Sequence, residues 1–318
     1  MTPEELFERA EQLEDAGDQR GALDIWRELA RKHPAPLALC QLAWLAIDLG
    51  EPKEAEAALR RAVQLDADYS VPYLGLGSIA IEKHEYRDAE YWLRQAVQRE
   101  QTRAAYTMLG VALRNLGRDE EARASYLRAI ELDPEFEEPY FNLGVLLRKS
   151  DTEKAEELFS KAIAIDPDFA AAHREIGWVL KRRGFLHEAE EHIRRSIELQ
   201  PDDAWAHIYL GGLLWEKGET NSAILEYEWA HAACPEWAVP LWSLGNVYSG
   251  REEWEKASVL YERALELEPD DVVANMSFGK MLQQKGDERL AKIYLERALL
   301  LDPEYEEARR LLNLIVHN

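Results

Sequence analysis

From Glu137 to Phe169 the chain reads EEPYFNLGVLLRKSDTEKAEELFSKAIAIDPDF. The first half places Tyr140, Leu143, Gly144 and Leu147 at steps of 3, 1 and 3, which is one face of a helix. The second half places Ala155, Leu158, Phe159, Ala162 and Ile163 on one face of another. Ser150-Asp151-Thr152 is a short polar break between them, and Pro167 disfavours helix at Asp166, so the second helix stops there. Gly144 and Ala155 carry little or no side chain and let the two backbones approach closely. Tyr140 and Phe159 fill the space beside them. Neither helix can bury its apolar face alone, so the pair must stack on its neighbours.

The same pattern runs outward in both directions. Small residues stand at Ala10, Ala43, Gly77, Gly110, Gly144, Gly177, Gly211, Gly245 and Gly279. An alanine follows each about twelve positions later: Ala22, Ala55, Ala89, Ala122, Ala155, Ala189, Ala223, Ala257 and Ala291. Steps within each set are 33 or 34 residues, and a period in that range predicts a solenoid. Gly50, Gly117, Gly184, Gly218 and Gly286 supply the left-handed residue that ends a first helix at little cost.

This arrangement resembles the tetratricopeptide repeat. The family pattern has a large residue, Leu-Gly, a turn, Ala, an aromatic, Ala and Pro. Leu-Gly pairs stand at Leu76-Gly77, Leu109-Gly110, Leu143-Gly144, Leu210-Gly211 and Leu244-Gly245, with Ile176-Gly177 and Phe278-Gly279 as variants. Trp26, Tyr126, Phe159, Tyr227 and Tyr261 are the aromatics, and Pro34, Pro134, Pro167, Pro201, Pro235, Pro269 and Pro303 the prolines. The second and third copies lack the proline, and the first has Ala10 for Gly and Leu29 for Ala. The resemblance implies an all-α fold, a right-handed superhelical α-solenoid of antiparallel helix pairs, whose concave groove is lined mainly by first helices. The expected units are 3–35, 36–69, 70–102, 103–136, 137–169, 170–203, 204–237, 238–271 and 272–305. Residues 306–318 read as a further helix that covers the exposed face of the last unit.

Net charge is 38 − 61 = −23. Such a chain repels phosphate backbones and anionic membrane surfaces, so neither nucleic acid nor membrane is an expected partner. The two cysteines, Cys40 and Cys234, lie far apart in an array of local contacts, and two free thiols suit a reducing compartment. The start Met1-Thr2-Pro3-Glu4-Glu5 is polar and unlike a signal peptide, and no apolar run reaches membrane-spanning length. The expectation is a soluble, cytoplasmic protein. Asn275-Met276-Ser277 is read as a chance match to a glycosylation sequon.

Two, five, nine and twelve residues into each unit, a second stripe runs beside the packing stripe. By the family geometry it lines the groove. In units four to six it carries Arg114, Arg148, Arg174 and Lys181, with Lys149 and Arg182 adjacent. Cations in a last helical turn gain about 0.3–1 kcal/mol from the dipole. That account should hold in every unit, yet Asp15, Glu82 and Glu216 stand there in others. The basic residues are therefore read as an anion-binding patch, with Arg114, Arg148 and Lys181 expected in a column. Trp178, Trp205, Trp215 and Trp242 continue the stripe as an aromatic wall, and Asn115, Phe141, Asn142, Ile208 and Asn246 complete the expected peptide-binding face. The carboxylate clamp that some family members use for acidic tails is not expected. Only Asn142 matches it, while Thr107, Val111, Ala171 and Glu175 fill the other positions.

No enzyme chemistry is expected. His187 and His192 lie five residues apart and share no helix face. His173 and His207 hold equivalent places in adjacent units and could approach each other, but no metal-ligand spacing surrounds them. Cys40 is not read as a nucleophile, and no cofactor or metal is expected. The second helices are read as a solvated acidic outer face. The leading function is a protein-interaction scaffold that takes an acidic extended or helical segment in its groove. The alternatives are a self-assembling or complex-organising subunit, in which the acidic first unit meets the basic middle of another copy, and a substrate receptor for a partner enzyme.

Overall fold

A computed structural model describes residues 1–316, with side chains through residue 315. The helices are α1 Pro3–Asp15, α2 Gln19–Lys32, α3 Pro36–Asp48, α4 Pro52–Leu65, α5 Val71–Glu82, α6 Tyr86–Arg99 and α7 Arg103–Asn115. They continue with α8 Asp119–Leu132, α9 Glu137–Leu147, α10 Thr152–Ile165, α11 Ala170–Arg183, α12 Leu186–Leu199 and α13 Ala204–Glu216. The last are α14 Thr220–Ala233, α15 Ala238–Gly250, α16 Trp254–Leu267, α17 Val272–Lys285, α18 Glu288–Leu301 and α19 Glu306–Val316. The described chain contains no strand, and none of its helices is long and apolar enough to cross a membrane.

Consecutive helices pack in pairs, α1 with α2 through α17 with α18, so the fold is an all-α solenoid of antiparallel pairs. The chain divides into two compact units, Met1–Pro167 and Asp168–Asn318. Within each, a second helix packs on the first helix of the next pair, and successive first helices also touch. First helices are therefore enclosed on two sides, and α13 buries Ala206, His207, Ile208, Leu210, Leu213 and Leu214.

The repeated small residues explain the pairing. All nine repeat alanines of the second helices are fully buried. A Cβ added to Gly211 would stand 2.6 Å from the Tyr227 ring. Only glycine lets that ring lie against the α13 backbone.

The turns follow from backbone chemistry. Gly50 has φ +76°, its amide donates to the Ile47 carbonyl at 2.9 Å, and the Glu51 amide donates to Ala46 at 2.7 Å. Gly17 makes the same turn in the first pair, a position the sequence reading omitted. Where glycine is missing in the third and eighth pairs, His84 and Glu252 take φ of 59° and 60°, a conformation that costs an L-residue roughly 1–2 kcal/mol. In the fifth pair the shorter turn ends α9 at Leu147, so Arg148 and Lys149 sit in the turn and not on the helix.

The second helices are more than a solvated acidic face, because many acids are paired from repeat to repeat. Arg27 of α2 donates to Glu54 of α4 at 2.7 Å, and Glu56 meets Lys83 at 2.5 Å. Glu90 holds both Arg94 and Arg118. Glu190 meets Lys217 at 2.6 Å and Arg194 at 2.8 Å. Hydrogen bonds from Lys83 and Arg60 hold the Glu56 carboxyl below the usual range, and Lys217 and Arg194 do the same for Glu190.

At the end of the second unit, α19 packs on α18 and α17. Ala308 and Leu311 are buried with Met276, Leu295 and Ala298, and Glu307 meets Lys280 at 2.8 Å. His317 and Asn318, which close the expected covering segment, lie outside the described residues.

Candidate interaction face of the first helices

In the first unit three of the expected groove residues, Asn115, Asn142 and Phe141, are engaged locally. Asn115 donates to the Val111 carbonyl at 2.8 Å and Asn142 to Glu138 at 3.0 Å, each within its own helix. Phe141 is half-buried, 5.8 Å from Phe159. Arg114 is half-buried in the last turn of α7 and has no ion pair among the described residues; its charge opposes the burial that pushes the Tyr126 phenol up to about 12. The expected column is divided between the units. Arg114 and Arg148 belong to the first and Lys181 to the second.

In the second unit two of the expected cations already have carboxylates. Arg174 is largely buried and contacts Asp203 at 2.5 Å and Glu175 at 3.2 Å. Burial opposes its charge, but Asp203 and Glu175 outweigh that and raise its pKa. It is thus a tie between α11 and the loop before α13, not an open anion contact. Lys181 meets Glu216 at 2.8 Å and lies over Gly212, where an added Cβ would be 3.2 Å from Nζ. Arg182 differs. It is exposed, stacks 4.9 Å over the Trp178 ring, and has no ion pair among the described residues.

The aromatic residues also divide. Trp205 is 45% exposed and meets Trp237 edge-on at 4.6 Å. Trp215 is 38% exposed. Trp242 is half-buried, packs into the cores around Tyr261 and Leu241, and donates Nε1–H to Asp271 at 3.2 Å. Ile208 is buried and belongs to the interior of α13, which corrects its expected place on the groove wall. Asn246 accepts from the Tyr261 hydroxyl at 2.7 Å.

Trp215 and Asn246 open onto a cavity of about 430 Å³ that the sequence reading did not anticipate. Val273, Met276 and Met281 form its apolar lining, and Ser249, Lys280 and Gln284 add polar groups. Val273, Met276 and Lys280 stand two, five and nine residues into the ninth unit. The stripe rule that selected Trp215 and Asn246 would have found them had it been carried to the last pair.

The histidines do not pair as expected. His173 Nδ1 lies 2.9 Å from Nδ1 of His192. His207 stacks on Trp229 at 3.7 Å and approaches Glu226 at 2.6 Å. Among the described residues no three His, Cys, Asp or Glu side chains are grouped to hold a metal ion. Both thiols are free. Cys40 is buried, which pushes its thiol up to about 12, and Cys234 is exposed.

Profiles described as tetratricopeptide repeat or TPR repeat match residues 7–70, 46–110, 110–151, 138–169, 174–236, 243–272 and 273–305. The chain belongs to the tetratricopeptide repeat family. No curated protein matches it in sequence. Solved structures resemble it in fold. The crystal structure of the APC/C hetero-tetramer Cut9–Hcn1 aligns with TM-score 0.69 at 17% identity, over 93% of this chain and 59% of the other. Yeast Tom70 aligns with TM-score 0.54 at 14% identity, over 98% of this chain and 88% of its own. PilF of Pseudomonas aeruginosa aligns with TM-score 0.54 at 19% identity, over 67% of this chain and 97% of its own.

Proposed function

We propose that the first-helix face of the second unit binds an acidic extended or helical segment of a partner protein, and that the chain acts by binding, without catalysis of its own. The observation that carries this reading is the cavity at Trp215, lined by stripe residues of three successive repeats, with Trp205 exposed on the same stripe of α13. Exposed tryptophan and arginine dominate interface energetics, and Met276 and Met281 make a lining that adapts to an apolar anchor. Arg182 is the cation assigned to a carboxylate of the ligand, since its guanidinium can grip one bidentately. The acidic surface elsewhere repels anions and leaves few places for them, so charge contributes selectivity and on-rate more than affinity. Cut9, in its hetero-tetramer with Hcn1, is a chain of like fold that assembles with a protein partner. The free thiols Cys40 and Cys234 support a cytoplasmic location.

The test is selection of a random peptide library displayed on phage against the wild-type chain, counter-screened with Trp205→Ala/Trp215→Ala. Enrichment of acidic sequences carrying a large apolar residue, lost on the variant, is the expected result. Equal recovery on both proteins, or no enrichment, contradicts the reading.

A further inference from the structure

The outer face of the second unit carries a feature that ligand binding on the first helices does not use. Leu225 of α14, Val259 of α16 and Ile293 of α18 stand 34 residues apart, at one position of three successive second helices. They are 66%, 65% and 53% exposed. The equivalent residues in the other six pairs are Asp24, Ala57, Tyr91, Ala124, Glu157 and Glu191. Equivalent positions of stacked repeats line up, so the three side chains form an apolar ridge across α14, α16 and α18.

The ridge has two edges of opposite charge. Helical spacing puts Lys256 and Arg263 on one side of Val259, and Glu255 and Glu262 on the other. Arg297 flanks Ile293 on the basic side and Glu296 on the acidic side, and Glu228 flanks Leu225 on the acidic side. Arg289 departs from the pattern, and the basic side is filled by Ser222 and Trp229 beside Leu225 and by Leu290 beside Ile293, so the opposed charges centre on Val259. All of these side chains are exposed. Several pair locally, Arg263 with Glu266 at 2.8 Å and Arg297 with Asp270 at 2.5 Å. Such exposed pairs are screened by solvent, and exchanging them for partners across an interface costs little.

We propose that this ridge is the contact through which two copies of the chain pair. A two-fold axis parallel to the second helices would set α16 against α16 and α14 against α18. The basic edge of each ridge would then face the acidic edge of the other. A two-fold perpendicular to the helices would bring like edges together. With net charge −23, most of the surface repels a second copy, and a ridge of apolar residues between complementary edges is where that repulsion is relieved. This contact is distinct from pairing of the acidic first repeat with basic residues of the middle repeats, and it leaves the first-helix face untouched.

Sedimentation velocity on the full chain, from low to high micromolar concentration, tests it. Wild type should form a dimer, and Val259→Glu should raise its dissociation constant roughly tenfold or more with unchanged circular dichroism. Arg263→Glu should weaken the dimer, and Arg263→Glu with Glu262→Arg should restore it, because the edges stay complementary when exchanged. A wild-type chain that stays monomeric throughout leaves the ridge to a partner of different sequence and overturns the proposal. A dimer that Val259→Glu leaves intact, or that the double exchange does not restore, overturns it as well.

Discussion

The two units share their packing residues and differ in their surfaces. Both pair charges from repeat to repeat, as Arg27 does with Glu54 in the first and Glu190 with Lys217 in the second; the difference lies in the exposed apolar and aromatic residues. In the first, Tyr91 is the one large aromatic strongly exposed among the described residues. In the second, Trp205 and Trp215 are exposed on first helices and Leu225, Val259 and Ile293 on second helices. The positions where helix meets helix must be small or shape-matched, and they repeat faithfully. The outward positions bear no packing constraint, so the fold does not require the second unit to show apolar side chains. Scattered apolar residues need no explanation; a run of them at repeat spacing points to partners.

The largest expected effect separates the units by stability. Gly211→Val drives a side chain into the Tyr227 ring and should destabilise the second unit by about 3 kcal/mol or more. Because contacts in a solenoid are local, hydrogen exchange should accelerate in α13 to α16 and stay unchanged in α3 to α8. Acceleration throughout would show that the chain unfolds as one block and blur the comparison.

The next effect separates two tryptophans of one stripe. Trp242→Ala removes a packed ring and its bond to Asp271, and should cost about 2–3 kcal/mol in chemical denaturation. Trp205→Ala should cost well under half of that, since the ring is 45% exposed. Equal losses would place both in the core.

Arg182→Glu should weaken a selected acidic peptide by about 1–2 kcal/mol with no change in melting. Wild-type affinity should fall as salt rises, because exposed charges are screened over about 8 Å at physiological ionic strength. Salt-independent binding would remove the electrostatic part of the account.

The smallest effect is on acid stability. Glu54, Glu56 and Glu190 titrate lower in the folded chain than the ordinary glutamate value of about 4.3. Their stabilising contribution is therefore present above that value and is lost as pH falls through the lower folded values. Glu56→Gln should flatten the acid limb of the melting profile slightly. A profile identical to wild type would show that the pair with Lys83 contributes nothing.

Much of the fold was legible because it rests on side-chain size at a fixed period. The nine alanines had to be small, and all are buried. The site was less legible, because exposure depends on partners far along the chain. Arg174 and Arg182 both read as groove cations. Asp203, 29 residues on in the following loop, satisfies the first, and among the described residues no carboxylate pairs with the second. Trp205 and Trp242 occupy the same stripe, yet only Trp242 meets an Asp271. Reading the second helices as uniformly acidic concealed the ridge, which a search at steps of 34 residues would have exposed.

The most direct test is titration calorimetry of a selected peptide against wild type, Trp205→Ala/Trp215→Ala and, as the first-unit control, Tyr91→Ala. The account predicts that the double substitution weakens binding by roughly tenfold or more, with helix content preserved, while Tyr91→Ala binds as wild type. A peptide that binds the double variant as tightly as wild type would contradict it.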